Sequence, residues 1–322
     1  MPPALTRAAM TALLLLGAAA RAETVLVSNE KDNTITALDG ETLRVIRTVP
    51  VGERPRGIVL SKDRRHLFVC AGDSDRVEVL DLETWRVVRH LPSGPDPELA
   101  ALHPDGRRLF VANEDDNMVT VVDVERAVVL REIPVGVEPE GMGISPDGRH
   151  VVNTSETTNM AHVIEVESGE IVANILVGAR PRAVVWEADG RRFWVSSEIG
   201  GTLTLIEREG WRVAGQVGFA VPGVPAEAIQ PVGMALSRDG ARLFVALGPA
   251  NRVAVVDTRT RQVERTLLVG QRVWNLALST DGTRLYTTNG VSNDLSVVDV
   301  AAMRVTRSVP VGQAPWGVVV RP

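Results

Sequence analysis

An aspartate that opens a tight turn returns along this chain at a nearly fixed interval. It falls at Asp63, Asp105, Asp147, Asp189, Asp239 and Asp281, in steps of 42, 42, 42, 50 and 42 residues. A second marker, the acid that ends an alternating apolar stretch, falls at Asp39, Asp81, Asp123, Glu165, Glu207, Asp257 and Asp299, in steps of 42, 42, 42, 42, 50 and 42. Two independent markers thus give one period, with a single eight-residue insertion between Glu207 and Asp239. Seven such units and the insertion come to 302 residues, against the 300 from Glu23 onward, so the count is seven.

Each unit divides into four short strands, A to D. In the second full unit they are predicted at Leu99–Leu102, Leu109–Ala112, Val119–Val122 and Val128–Ile133. Strand A is apolar on both faces, as an innermost strand must be, and strand C alternates, which places it nearer the surface. Asp-Gly pairs join A to B, because glycine accepts the positive φ that favoured hairpin turns require; Asp63-Arg64 is the exception. The acid closing strand C reads as an Asx-turn former, often with Thr three residues on, as in Asp81/Thr84 and Asp257/Thr260.

A four-stranded antiparallel unit repeated seven times predicts an all-β fold, a seven-bladed β-propeller. The ends complete the ring. Residues 23–51 supply strands B to D without an A, and Ala314 to Val320 supply an A alone, so the seventh blade is closed by both termini and the sheet edges are hidden. No helix of any length is readable. Residues 23–322 therefore form one domain.

Residues 1–22 are set aside as a signal peptide, with Arg7, an apolar core through Leu13–Leu16 and Ala20-Arg21-Ala22 as the cleavage signature. Export to the periplasm after cleavage behind Ala22 is the expectation. Losing Arg7 and Arg21 takes the formal charge from −5 to −7. With no basic patch, nucleic acid and membrane surfaces are excluded as expected partners, and the mature protein is expected to be a monomer. Cys70 is the one cysteine, which rules out an intrachain disulfide and a thiol-based metal site.

Strands alternate in direction, so the D–A and B–C loops share one face, and on that face the copies diverge. The residue after the loop proline runs Arg56, Glu98, Glu140, Arg182, Val232, Trp274, Trp316 around the ring. Two positions earlier stand Arg54, Asp96, Glu138, Arg180, Gln230, Arg272 and Ala314. The B–C loops add Glu114, Glu156 and Glu198, with Glu30 in the same register. The mouth so formed suits a ligand with a cationic or polar end and a flat or apolar body. It equally suits a rim tied by cross-blade Arg–carboxylate pairs and plugged by tryptophan. Arg56, Glu98, Glu140, Arg182, Trp274, Trp316, Glu114, Glu156 and Glu198 are the candidate binding residues. The insertion, Ala220 to Gln230, lies beside them as a lid, a partner contact or a passive loop. No histidine falls on this face, no nucleophile elbow or phosphate-binding glycine loop is present, and neither catalytic nor metal-ligating residues are assigned. The chain is accordingly expected not to be an enzyme.

The units resemble the YVTN-type β-propeller repeat: Val-Gly-x-x-Pro-x-Gly, Ser-Pro-Asp-Gly, an apolar strand, then Val-x-Val-Val-Asp, with the tetrapeptide degenerate as Phe110-Val-Ala-Asn113 and Tyr286-Thr-Thr-Asn289. Segments outside the repeat, among them Ser93-Gly-Pro-Asp-Pro-Glu98, Asn153-Thr-Ser-Glu-Thr-Thr-Asn159 and Val269-Gly-Gln-Arg-Val-Trp274, are similar to β-propeller proteins associated with PQQ-dependent (quinoprotein) alcohol catabolism. That resemblance implies a periplasmic accessory protein, whose partner is a protein of the alcohol-oxidation system or a small ligand. It supplies no catalytic residues. No cofactor is assigned; PQQ itself is a further possibility, as a planar anion between arginines and the two tryptophans. The alternatives are a lactonase-type propeller hydrolase, on fold analogy alone, and a structural surface repeat protein.

Overall fold

In the computed structural model residues 23–322 are described, and the expected leader lies outside them. The chain forms seven four-stranded antiparallel sheets arranged as a propeller. Blades are numbered here from the first complete unit, and the blade closed by the two termini is the seventh. In that blade Pro315–Arg321 pairs with Thr24–Asn29, which continues into Thr34–Asp39 and Val45–Pro50. Three short 3₁₀ turns, Gly72–Ser74, Glu209–Trp211 and Ala226–Ala228, are the helical elements among the described residues. None of these is long or apolar enough to cross a membrane.

The strands run slightly longer than their apolar cores. Blade 2 comprises Pro97–Leu102, Arg108–Asn113, Met118–Asp123 and Val128–Pro134. The A–B turns have the expected left-handed residue, for example Gly106 at φ 78° and Arg64 at φ 61°. The acid after strand C does cap its own turn: Thr84 donates from its backbone N–H and its hydroxyl to Asp81 Oδ1 at 2.7 and 3.0 Å.

Strand C departs from expectation. Its alternation predicted a half-exposed strand, yet Val119 through Val122 are all buried, as are the four matching residues of the other blades. The neighbouring blades cover both faces of each sheet, so the edge strand D is the most exposed. The polar strand-C positions serve inside that sandwich. Glu78 accepts from the Gly52 N–H at 2.9 Å, His162 from Gly136 at 3.0 Å and Thr120 from the Asn113 side chain at 2.6 Å. Alternation here records polar groups hydrogen-bonded within the blade and to the loop that enters it, rather than a wet face.

Inner strands approach so closely that glycine is needed at alternate places. A Cβ on Gly317 would stand 2.5 Å from the Arg56 carbonyl oxygen, and one on Gly233 2.7 Å from that of Trp274. The insertion packs inward. Val221 and Ile229 are buried in the cluster around Trp194 and Leu243, so this segment is part of the core between blades 4 and 5.

Candidate functional site

Three repeated devices position the mouth, and all three are visible as 42-residue periods once their purpose is known. The first is a break in the A–B ladder. Pairing shifts between Pro97 and Ala100, between Pro139 and Met142, and between Pro181 and Val184, and likewise in blades 1, 6 and 7 but not in blade 5. Glu98, Glu140 and Arg182 occupy these irregularities, where a strand turns its side chains off the regular sheet normal. The proline that opens strand A has no N–H to leave unpaired.

The second device is a side-chain oxygen, an amide in five blades and the Asp75 carboxylate in a sixth. The residues that precede strand C, at Asn33, Asp75, Asn117, Asn159, Asn251 and Asn293, accept the backbone N–H of Arg54, Asp96, Glu138, Arg180, Arg272 and Ala314 at 2.7–3.1 Å. Those six recipients are all left-handed, with φ between 48° and 57°. A non-glycine residue in that region is strained, and the side-chain acceptor holds it there. The blade-4 copy of the acceptor is Gly201, and the eight-residue insertion falls in the loop it would have held.

The third device is a hydroxyl at the penultimate position of strand B. Ser28 accepts from the Gly317 N–H at 2.9 Å and donates to the Arg56 carbonyl at 2.7 Å. Thr288 does the same between Asn275 and the Trp316 carbonyl, at 3.1 and 2.6 Å, and Ser196 between Ala183 and Val232. Each hydroxyl ties one inner strand to the next. Thr154 is the fourth such hydroxyl, accepting from the Gly141 N–H at 2.9 Å and reaching the Arg182 carbonyl at 3.4 Å. Cys70, Ala112 and Ala246 fill this register in the remaining three blades, which accounts for the buried cysteine; burial pushes its thiol well above the ordinary range.

All nine sequence-derived candidates meet in one network. On one side Arg56 lies 2.9 Å from Glu98 and 3.3 Å from Glu30, and Arg54 joins Glu98 at 2.9 Å and also pairs with Asp96 and Asp73. Glu114 shares a hydrogen bond with Glu98. On the other side Arg182 joins Glu140 at 3.2 Å, Glu198 at 3.6 Å and also Glu156, and Arg180 reaches Glu156 at 2.6 Å. Arg272 bridges Glu198 and Gln230 at 2.9 and 3.0 Å. Trp274 and Trp316 stack at 6.4 Å, and arginines cover them: Arg272 stands 4.2 Å from the Trp274 ring, Arg182 5.9 Å from it, and Arg56 5.9 Å from Trp316. The residues missed from the sequence are Asp73, which adds a carboxylate to Arg54, and the positioning amides and hydroxyls.

Charge in this mouth is unbalanced. Five arginines (Arg54, Arg56, Arg180, Arg182, Arg272) meet nine carboxylates: Glu30, Asp73, Asp96, Glu98, Glu114, Glu138, Glu140, Glu156 and Glu198. The surplus shows in the proton affinities. Burial, with Glu98 and Glu156 adding to it against the pull of Arg182, pushes Glu140 well above the usual carboxylate range. Burial and the Glu98 carboxylate push Glu114 up to about 7. Burial acts the same way on Glu98, but Arg56 and Arg54 outweigh it and hold that group low. Arg182 remains firmly charged because Glu140, Glu156, Glu198 and Glu98 together overcome its burial.

Oxygens of Asp96, Glu98 and Glu114 lie within 4.8 Å of one another, a spacing a cation can use. Arg54 and Arg56 already satisfy two of the three, and no metal is assigned there. PQQ does not fit these residues. Every mouth arginine carries a carboxylate, the tryptophan faces are covered, and the net charge repels a polyanion.

No curated protein matches the chain significantly. Solved structures do. A chain of Kuenenia stuttgartiensis hydrazine synthase aligns with a TM-score of 0.79 at 24% identity, over 86% of this chain and 92% of that one. The Pseudomonas aeruginosa periplasmic gluconolactonase PpgL aligns with a TM-score of 0.79 at 20% identity, over 93% and 99%. A protein of unknown function from Desulfotomaculum acetoxidans aligns with a TM-score of 0.79 at 17% identity, over 92% and 98%. These likenesses show the fold alone. They also correct the expectation that the chain is not an enzyme, since two of the three are enzymes carried on the same propeller. Lack of a histidine-based constellation on one face is therefore no argument against catalysis. A family model described as the choice-of-anchor I domain matches residues 115–283, more than half of the 322-residue chain. The chain is a β-propeller that belongs to the choice-of-anchor I domain family.

Proposed function

We propose that the D–A/B–C face is the working face of this propeller, and that it receives a ligand or partner segment presenting a positively charged, hydrogen-bond-donating group. The observation that carries this reading is the surplus of carboxylates over arginines at a half-buried mouth, expressed in the raised proton affinities of Glu140 and Glu114. A bound cation relieves the same repulsion that protons now relieve. The resemblance to propellers of quinoprotein-linked alcohol catabolism supports a place for this binding in the periplasm, beside an alcohol-oxidising system.

Titration calorimetry with 1,4-diaminobutane at low salt tests the charge reading. Saturable binding is expected, weakened about tenfold in a Glu114→Gln/Glu138→Gln variant and reduced by added salt. Equal binding of the variant, or preference for a dicarboxylate of the same length, overturns it. Export is checked by fractionation of the cells that make the protein: a mature form beginning at Glu23 in the periplasm is expected, and an uncleaved cytoplasmic form counts against this placement.

A further inference from the structure

Below the charged rim the channel narrows to a neck lined by Leu99, Glu140, Arg182, Trp274, Asn275 and Trp316, enclosing a cavity of about 10 Å³. That is space for one water-sized group and nothing larger. Two of the lining residues carry buried polar atoms without a hydrogen-bond partner. Glu140 is 1% exposed and neither carboxyl oxygen is hydrogen-bonded; the Arg182 guanidinium is within ion-pair range of one of them, but out of line for a hydrogen bond. Trp316 is 3% exposed and its indole Nε1–H has no acceptor. Buried polar groups without partners are costly, so the neck favours a group that can pair with both of them.

We propose that the neck is a subsite for one hydroxyl group, held between the Trp316 indole N–H and the Glu140 carboxyl, which a water fills at rest and the hydroxyl of a small alcohol fills in the complex. The proposal deepens the reading of the charged mouth by naming the second functional group of its ligand, which makes that ligand a small hydroxylated cation. The choice of group follows from the donor count. A hydroxyl oxygen accepts from Trp316, and it can accept from a protonated Glu140 or donate to an ionised one. An ammonium group has no lone pair for Trp316. A carboxylate has only acceptors and meets Glu140 with Glu98 and Glu156 nearby. Any larger head group exceeds the cavity.

The test compares ethanolamine, ethylamine and ethanol by titration calorimetry on the full mature protein and on Trp316→Phe and Glu140→Leu, each first checked for a cooperative thermal melt. Ethanolamine is expected to bind wild type about tenfold more tightly than ethylamine, and this ratio is expected to fall to about one in either variant. If both amines bind wild type equally, the hydroxyl subsite is wrong while the charged mouth survives. If neither amine binds but ethanol does, with loss in Trp316→Phe, the neck survives and the charged mouth is wrong. Failure of all three probes to bind overturns both.

Discussion

Single residues here act mostly through burial and neighbouring charge. Glu114 illustrates this: its carboxyl is raised to about 7 by burial and by Glu98, against an ordinary value of 4.5. A carboxyl whose folded affinity for the proton exceeds its unfolded one stabilises the fold while protonated. That contribution is full below about 4.5 and is lost as pH rises through about 7. Glu140 is shifted in the same direction. Glu114→Gln is therefore expected to flatten the decline of stability between pH 5 and pH 8, and to unfold at a higher urea concentration than wild type at pH 8. Urea titrations at both pH values check this, and an unchanged slope in the variant would show that the Glu98–Glu114 pair does not titrate together. Arg182 is the counterpart: it is the one cation shared by Glu140, Glu156 and Glu198, and it holds together carboxylates that would otherwise repel in a dry neck.

At the scale of the element, the loop from D to A is a short segment held in an unfavourable backbone region by an amide from the loop beside it. Asn117 serves the blade that follows it, accepting the Glu138 N–H at 3.1 Å while itself standing at φ 60°. Asn117→Ala removes the acceptor and places a residue with less tolerance for positive φ, so a loss of about 1–2 kcal/mol is expected in equilibrium unfolding. A loss below about 0.3 kcal/mol would mean that the ladder alone fixes the loop. The period of 42 made this amide visible in the sequence as a recurring Asn, but its purpose was not, because the partner is a backbone N–H 21 residues away. Strand C carried the opposite lesson. Its pattern alternates as a half-exposed strand does, yet it is buried, because the blades beside it, not the sequence within it, decide what is dry.

For the whole molecule, stability rests on closing the ring. Pro315–Arg321 lies between the inner strands of blades 6 and 1 and pairs with Thr24–Asn29, burying Trp316 and Val318. Deleting residues after Ala314 removes the buried apolar side chains of Trp316 and Val318, each contributing about 1.5–3 kcal/mol, and exposes the edge of Thr24–Asn29. The truncated chain is expected to melt at least ~10 °C lower, or without cooperativity, and to form concentration-dependent oligomers through that edge. Scanning calorimetry and sedimentation check both effects, and a monomer with the melting temperature of wild type would show that six complete blades suffice.

The sequence by itself determined the count of blades, the strands within each, the closure by both termini and the face on which the copies diverge. Each follows from a linear period, which assigns every residue a register. What the period cannot express is distance around the ring or toward its axis. Arg272 meets Glu198 across 74 residues, and Arg56 covers Trp316 from the other end of the chain. Registers that read as separate blades converge at the axis, where long side chains overlap and solvent is excluded. Only the tertiary structure therefore decided that the arginines are spent on carboxylates, that the tryptophans are already covered, and that Glu140 and Trp316 carry unpartnered polar atoms beside a space of about 10 Å³.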